Sequence, residues 1–439
     1  MTQVVQSPKS RTPLYFAIMA ALIIAVGFLQ SWNSALFILN FGLISAIMAL
    51  GVNLQWGYAG LFNVGVMGFV ALGGLAVVLT SMPPVKEAWD AGGLSVMFAL
   101  AVGLAVIVGA VLLWKRLRHT KALGLIMAAW LIGGFFVFRA VFDPAVAAIE
   151  AINPAQTGYL GGASLPVLLA WPVGGLFAAG AAWIVAKTAL GLRSDYLAIA
   201  TLGIAEIILA VMKNEDWLSR GVKNVNGLPR PVPYEIDLQQ SDWFLSLASK
   251  FGADPVTAST IFVKLAYASL FLVVIVLIVT AMELALKSPW GRMMRAIRDN
   301  EVASEAMGKD VTGRHLQIFV LGAAICGIAG AMMTTLDGQL TPVTYQPLRY
   351  TFLVWVMVIV GGSGNNWGAV LGGLLIWFLW VEVEPIGTWV VNLVTAGMGD
   401  DNPVKVGLIE RIAYMRHLTM GVILLLVLRF SPRGLLPEK

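Results

Sequence analysis

Cysteine is nearly missing from this chain: among 439 residues only Cys326 carries a thiol. An intrachain disulfide is excluded, and so is a thiolate metal centre. Cys326 lies in an apolar run and reads as a small buried side chain. The three histidines, His119, His315 and His417, are far apart and each falls near the end of an apolar run, so no metal site is expected. Charge is scarce too. Asp, Glu, Lys and Arg make up 12% of the residues, about half of what soluble domains carry. A soluble globule is thereby excluded. The net charge of +5 is not a nucleic-acid signature, because the basic residues cluster where apolar runs end. No G-x-x-x-x-G-K-[ST] phosphate loop occurs, and no set of residues suggests catalysis. The chain is expected to be no enzyme and to hold no cofactor.

What is abundant is apolar sequence. Hydrophobic residues make up 59% of the chain, in repeated runs near the roughly 20 residues that span a bilayer. The runs are continuous rather than alternating, which rules against a β-barrel. The 46 glycines suit helices that approach closely within a membrane. The fold class expected is an all-α polytopic integral membrane protein with about 10–12 transmembrane segments, some of them broken or re-entrant. Spans are placed near 13–30, 34–53, 58–80, 94–114, 122–142, 165–190, 196–212, 261–286, 316–336, 350–362, 366–384 and 412–430. The first is read as a retained span, not a signal peptide. Residues 58–80 are rich in glycine, and the pair at 350–362 and 366–384 is interrupted by G-G-S-G-N-N-W-G, which suggests half-helices.

Positive charge orients the set. Residues 115–121 (K-R-L-R-H-T-K), residues 287–315, the N-terminus and the tail are all basic and are assigned to the cytoplasmic side. Twelve crossings satisfy all four. The 213–260 segment is then an external loop, with short helices that could meet an external partner. The whole of 1–439 reads as one transmembrane domain.

One patch stands out. Residues 288–309 read S-P-W-G-R-M-M-R-A-I-R-D-N-E-V-A-S-E-A-M-G-K between two apolar runs. Ser288-Pro289 is a helix start. Trp290, Met293, Met294 and Ile297 fall on one stripe, opposite Arg292, Arg295, Arg298 and Asp299. Asp299 or Asn300 can cap a second short helix that carries Glu301 and Glu305 and ends at Gly308. Two capped amphipathic helices need a surface for their apolar stripe, either a lipid headgroup region or a groove on a soluble partner.

This stretch resembles the cytoplasmic coupling segment of LivM-type permeases of branched-chain amino-acid ABC importers, S-P-x-G-R-x-x-x-A-I-R-x-N-E-x-A-A-E-x-x-G. Three further stretches are similar to that family: G-Y-A-G-L-F-N-V-G at 57–65, L-R-S-D-Y-L-A-I-A-T-L-G-I-A-E-I at 192–207, and G-G-S-G-N-N-W-G-A-V-L-G-G at 361–373. Asn63 and Val66-Met67 stand where many members have Ser and His-Ala, and the spans around 115–121 look inserted. The resemblance implies a permease of the bacterial inner membrane, both termini cytoplasmic. It also implies partners: a second related permease subunit, two cytoplasmic ATPase subunits that bind ATP and Mg, and a periplasmic solute-binding protein, besides membrane lipid. Its coupling residues would be Trp290, Arg292, Met293, Met294, Arg295, Ile297, Arg298, Glu301, Glu305 and Gly308, with the apolar stripe against the ATPase. Urea, short amides or other amino acids are alternative cargoes. An ion-coupled secondary transporter is an alternative class.

Polar residues within apolar runs are the pathway candidates. Glu206 is the sharpest: it is flanked by apolar residues on both sides, so it marks either a pathway or a paired structural site. Asn53, Gln55, Tyr58 and Asn63 cluster around the early glycine element, where they could meet a zwitterion or bond between helices. Gly364, Gly368 and Gly372 recur every four residues, a face for close packing.

Overall fold

The computed structural model describes residues 12–153, 157–399 and 402–438. Lys9, Arg11 and Lys439, which carry part of the topology reading, lie outside these. Among the described residues, ten helices are long and apolar enough to cross a membrane, and two shorter apolar helices lie at Val66–Ser81 and Leu348–Gly361. The ten lie within the expected range of about 10–12; the two shorter helices, at 16 and 14 residues, are below the length that spans a bilayer.

The chain runs through α1 (Thr12–Leu29), α2 (Trp32–Val52), α3 (Val66–Ser81), α4 (Leu94–Leu117), α5 (Leu123–Glu150), α6 (Val167–Ala189) and α7 (Ser194–Asn214). It continues through α8 (Pro255–Lys287), α9 (Pro289–Asp299), α10 (Glu301–Ala306), α11 (Val311–Asp337), α12 (Leu353–Gly361), α13 (Asn366–Val394) and α14 (Pro403–Phe430). Single-turn π segments at Asn53–Gly57 and Leu348–Phe352 extend α2 and precede α12.

Several boundaries differ from the sequence expectation. The pair at 350–362 and 366–384 is not two half-helices: α13 is one continuous helix of 29 residues, long enough to span, and only Leu348–Gly361 is short. The expected span at 58–80 is interrupted: residues 60–65 are irregular, and the helix resumes at Val66. The expected loops at 143–164 and 385–411 are partly helical: α5 runs through Pro144 to Glu150 and α13 runs through Pro385 to Val394. A proline removes one backbone donor, and here packed neighbours hold the helix on both sides of it. α8 starts at Pro255, earlier than expected, where Asp254 accepts a hydrogen bond from Thr257 N.

The core forms where α2, α3, α6, α11 and α13 pack together. Small residues permit it. A Cβ on Gly73 would lie 1.9 Å from the Gly327 carbonyl oxygen, and one on Gly330 would lie 1.9 Å from that of Val70. Only hydrogen fits at either contact. α4 and α5 instead form a peripheral hairpin: they pack on each other, and Val96, Ala99, Phe142 and Ile149 belong to a small separate cluster with Trp217.

Contacts fix which ends go together. Thr12, Lys287 and Glu438 line one cavity, so both ends of the described chain lie beside the 287–315 segment. At the opposite end, Val85 N donates to Leu160 O and Leu160 N to Trp217 O. There the antiparallel pair β1 (Val225–Asn226) and β2 (Gln339–Leu340) ties the 213–260 segment to the loop after α11. α4 leaves that far end and runs for 24 residues, about 36 Å at 1.5 Å per residue. The basic 115–121 loop is thereby returned to the side of 287–315.

Candidate functional site

Two crossings are interrupted at similar depth, and they meet. After the π turn at Asn53–Gly57 the chain is irregular through Gly65. Irregular backbone inside a membrane survives only if the protein itself satisfies its polar groups. Here side chains do so. Asn63 Oδ1 accepts from Gly65 N and its Nδ2 donates to Gln55 Oε1. Gln55 Nε2 donates to Phe319 O, and Trp355 Nε1 donates to Asn63 O. Val64 N donates to Thr201 Oγ1 on α7, and Met67 N to Thr351 Oγ1 in the second π segment. Gly65 cannot be larger, since a Cβ would sit 2.3 Å from Thr201 O.

Beside this junction lies an open groove of about 470 Å³, lined by Phe62, Val64, Leu202, Leu348, Phe352 and Trp355 among others. The Phe62 and Trp355 rings stand 4.6 Å apart. Thr351 supplies the groove's one lining hydroxyl, already bonded to Met67 N. Discontinuous helices meeting beside a cavity are the usual surroundings of a transport pathway.

The pathway candidates do not converge. Asn53 is fully buried and works as a staple, its Oδ1 accepting from Gly364 N at 2.8 Å and its Nδ2 facing Asn366 Oδ1. Asn63 is buried, with both ends of its amide bonded within the chain. Tyr58 is buried at the basic end, in a cavity of about 400 Å³ with Glu283, Arg295 and Glu438. Only Glu206 stands on a face open to the surroundings.

Glu206 also departs from the paired structural reading. It is exposed, and it makes no hydrogen bond or ion pair among the described residues. α7 packs its Thr201, Ala205, Leu209 and Met212 inward, and at 100° per residue Glu206 points well away from that stripe. It lies 12 residues into a 21-residue helix of apolar composition. A charge at such a depth costs at least about 2.5–3.5 kcal/mol against lipid. Two other charges on span faces do have companions: Arg139 pairs with Asp143, and Arg416 with Glu384.

The coupling segment is a pair of helices, as expected, but its stripe points inward. Met294 and Ile297 are 0% and 1% exposed, and Trp290 and Met293 are half-buried against the same core. The stripe is therefore spent on this chain's own spans and leaves no free anchor there for a partner. The arginines hold α9 in place: Arg292 Nη1 donates to Lys287 O and Arg295 Nη2 to Leu286 O, satisfying carbonyls at the end of α8. Arg298 Nη1 donates to Gly57 O, and its guanidinium pairs with Glu438 and Asp299. Burial works to lower the Arg298 pKa, but the bonds and charges of Glu438 and Asp299 outweigh it and shift it upward. Ser288 Oγ donates back to Ala285 O instead of capping α9. Asn300 caps α10 through Ala303 N, and Gly308 ends it at φ +76°. What faces outward is α10: Val302 and Met307 are 77% and 78% exposed, with Glu301 and Glu305 beside them.

The later glycine face is split. A Cβ on Gly372 would lie 2.0 Å from Met357 O, so Gly372 does serve close packing, as does Gly368 against Gly361 O. Gly364 does not share that face. It takes φ +77° in the turn before α13, and Asn365 caps that helix. The arginine bond between α9 and Gly57 was not foreseen; a basic residue in a connector looks the same in sequence whether it meets solvent or a carbonyl.

Residues 34–146 and 121–428 match the family described as "Branched-chain amino acid transport system / permease component". The chain is 30% identical over 211 residues to the high-affinity branched-chain amino acid transport system permease protein LivM of Salmonella typhimurium, a match covering 47% of this chain and 48% of that protein. It thus spans about half the length of that relative. It is 25% identical over 394 residues to a probable branched-chain amino acid transport permease protein LivM of Methanocaldococcus jannaschii, 90% of each chain. A probable LivH permease protein of the same organism is 30% identical over 104 residues, 24% of this chain and 32% of that one. No solved structure matches the chain.

Proposed function

The chain belongs to the family of permease components of branched-chain amino acid transport systems, and from that premise we propose that it is the membrane-spanning permease subunit of an ABC importer of branched-chain amino acids. It sits in the bacterial inner membrane with the basic end, and hence both termini, in the cytoplasm. It pairs with a second, related permease subunit. Two cytoplasmic ATPase subunits supply ATP hydrolysis with Mg, and a periplasmic solute-binding protein delivers the cargo to the 213–260 end.

The observation that carries this reading is the outward face of α10. Val302 and Met307 stand free beside Glu301 and Glu305, on a segment that arginines fasten to the ends of two spans. A solvated connector has no use for such fastening. A lever does: a push on α10 passes through α9 and Arg298 to Gly57, where the interrupted crossing begins. ATP binding would draw the two ATPase subunits together and move this lever, changing which side of the pathway is open.

The test is uptake in the native cell. Deleting the gene abolishes high-affinity uptake of radiolabelled leucine, isoleucine and valine, and a plasmid copy restores it. Excess unlabelled valine competes with leucine; excess urea does not. Unchanged uptake in the deletion strain, or loss of urea uptake alone, would overturn the proposal.

A further inference from the structure

Among the described residues Glu206 has no hydrogen-bond or ion-pair partner, and it stands on a span face that lipid cannot serve. Its position narrows what can serve it. Leu202 lines the groove, and Glu206 lies one turn further along α7 and about 40° around it. Glu206 is not among the residues that line the groove; it stands one turn, about 6 Å, beyond the groove's Leu202 edge toward the 213–260 end. Gly203, beside it, has open space where a Cβ would be, and Ile199 and Ile207 on the same face are 69% and 62% exposed. Among the described residues, none covers Glu206, which is exposed.

A carboxylate only accepts hydrogen bonds. Its complement is a donor, best a cation. The groove offers Phe62, Leu202, Leu348 and Phe352, and its volume of about 470 Å³ exceeds that of an aliphatic side chain. One carboxylate a helical turn beyond one apolar groove fits a ligand with an ammonium group a few bonds from a branched apolar tail.

The geometry points to Glu206 and this groove as one half of a transient substrate site, in which Glu206 receives the α-ammonium of an aliphatic amino acid while Phe62, Leu202, Leu348 and Phe352 receive its side chain. This inference rests on the importer reading and deepens it. No cationic side chain lines the groove; Trp355 Nε1 donates within the chain, and Thr351 Oγ1, which accepts from Met67 N, carries the one lining hydroxyl donor. Beyond the Thr351 hydroxyl, further donors for the ligand's carboxylate come from the second permease subunit, which puts this half-site at the seam between the two. A site with one hydroxyl of its own for the carboxylate holds its ligand weakly, as a passage requires.

The test uses the complete transporter in proteoliposomes with its binding protein, and compares the parent with Glu206→Gln, Glu206→Asp and Phe352→Ala. Glu206→Gln lowers ATP-driven leucine uptake about tenfold or more, the weight of a charge-assisted hydrogen bond. Glu206→Asp, which keeps the charge, retains more than Gln. Phe352→Ala also slows uptake. In each variant the second permease copurifies as in the parent. Parental uptake in Glu206→Gln would overturn the inference. So would loss of the second permease from that variant, since Glu206 would then be bonded to the subunit and not to the ligand. Full uptake in Glu206→Gln where the deletion strain has lost leucine uptake sinks this inference and leaves the importer reading standing.

Discussion

Met294 and Met307 lie 13 residues apart in the coupling segment, both apolar and both flexible, yet they should fail in different ways when truncated. Met294 is 0% exposed and packs with Ile297 in the main core. Replacing a buried methionine by alanine removes its transfer free energy and leaves a cavity, a cost of about 2–5 kcal/mol. Met307 is 78% exposed and Val302 is 77% exposed. Truncating them changes the chain's own stability by no more than about 0.5 kcal/mol each. If they are the anchors in a partner's cleft, each costs at least about 1 kcal/mol of attachment, roughly fivefold in affinity. The assay has two parts: thermal unfolding of the purified permease pair without ATPase, and recovery of the ATPase with the tagged permease. Met294→Ala lowers the melting temperature by a few degrees. Val302→Ala with Met307→Ala melts like the parent but recovers much less ATPase. The reasoning is refuted if Met294→Ala melts like the parent and loses the ATPase, for then the stripe faces the partner after all.

Gly330→Val forces a branched side chain against the Val70 carbonyl, which cannot rotate away, so little folded protein should be recovered; Gly203→Ala, over open space, should express and transport normally. Arg298→Ala cuts the bond from α9 to Gly57 O. It should leave ATPase recovery near parental while uptake per ATP hydrolysed falls, and parental uptake would show that the bond transmits nothing. Single cysteines in a Cys326→Ala background test the topology. Lys250→Cys should react with an impermeant thiol reagent added to spheroplasts, and Arg292→Cys should not; labelling at 292 from outside inverts the assignment.

Much of this architecture was legible because hydrophobic length and basic flanks are local properties. The ten long spans, the paired helices at 288–309 and the shortness of the helices at Val66–Ser81 and Leu348–Gly361 all follow from them, whereas the full length of α13 was not foreseen. The Asn300 cap and the Gly308 stop follow from equally local rules. The direction of the α9 stripe was not legible. An amphipathic pattern says that Met294 and Ile297 need a buried surface, and is silent on whose surface it is. The pathway candidates show the same limit in reverse. Asn53, Asn63 and Glu206 look alike as polar residues in apolar sequence. Two of them turned out to be spent on internal bonds and one to be unpartnered, a distinction set by how the helices rotate in packing. Gly364 fell on a helical face in sequence only because the turn before α13 is invisible to periodicity.

The central claim is that this chain moves branched-chain amino acids on energy borrowed from a separate ATPase. The direct measurement is uptake of radiolabelled leucine into proteoliposomes that contain the purified complex, with binding protein outside and ATP inside, and with ionophores that collapse proton and sodium gradients. The account predicts leucine accumulation that requires ATP and is indifferent to the ionophores. Accumulation that proceeds without ATP and disappears when the ion gradients collapse would contradict it.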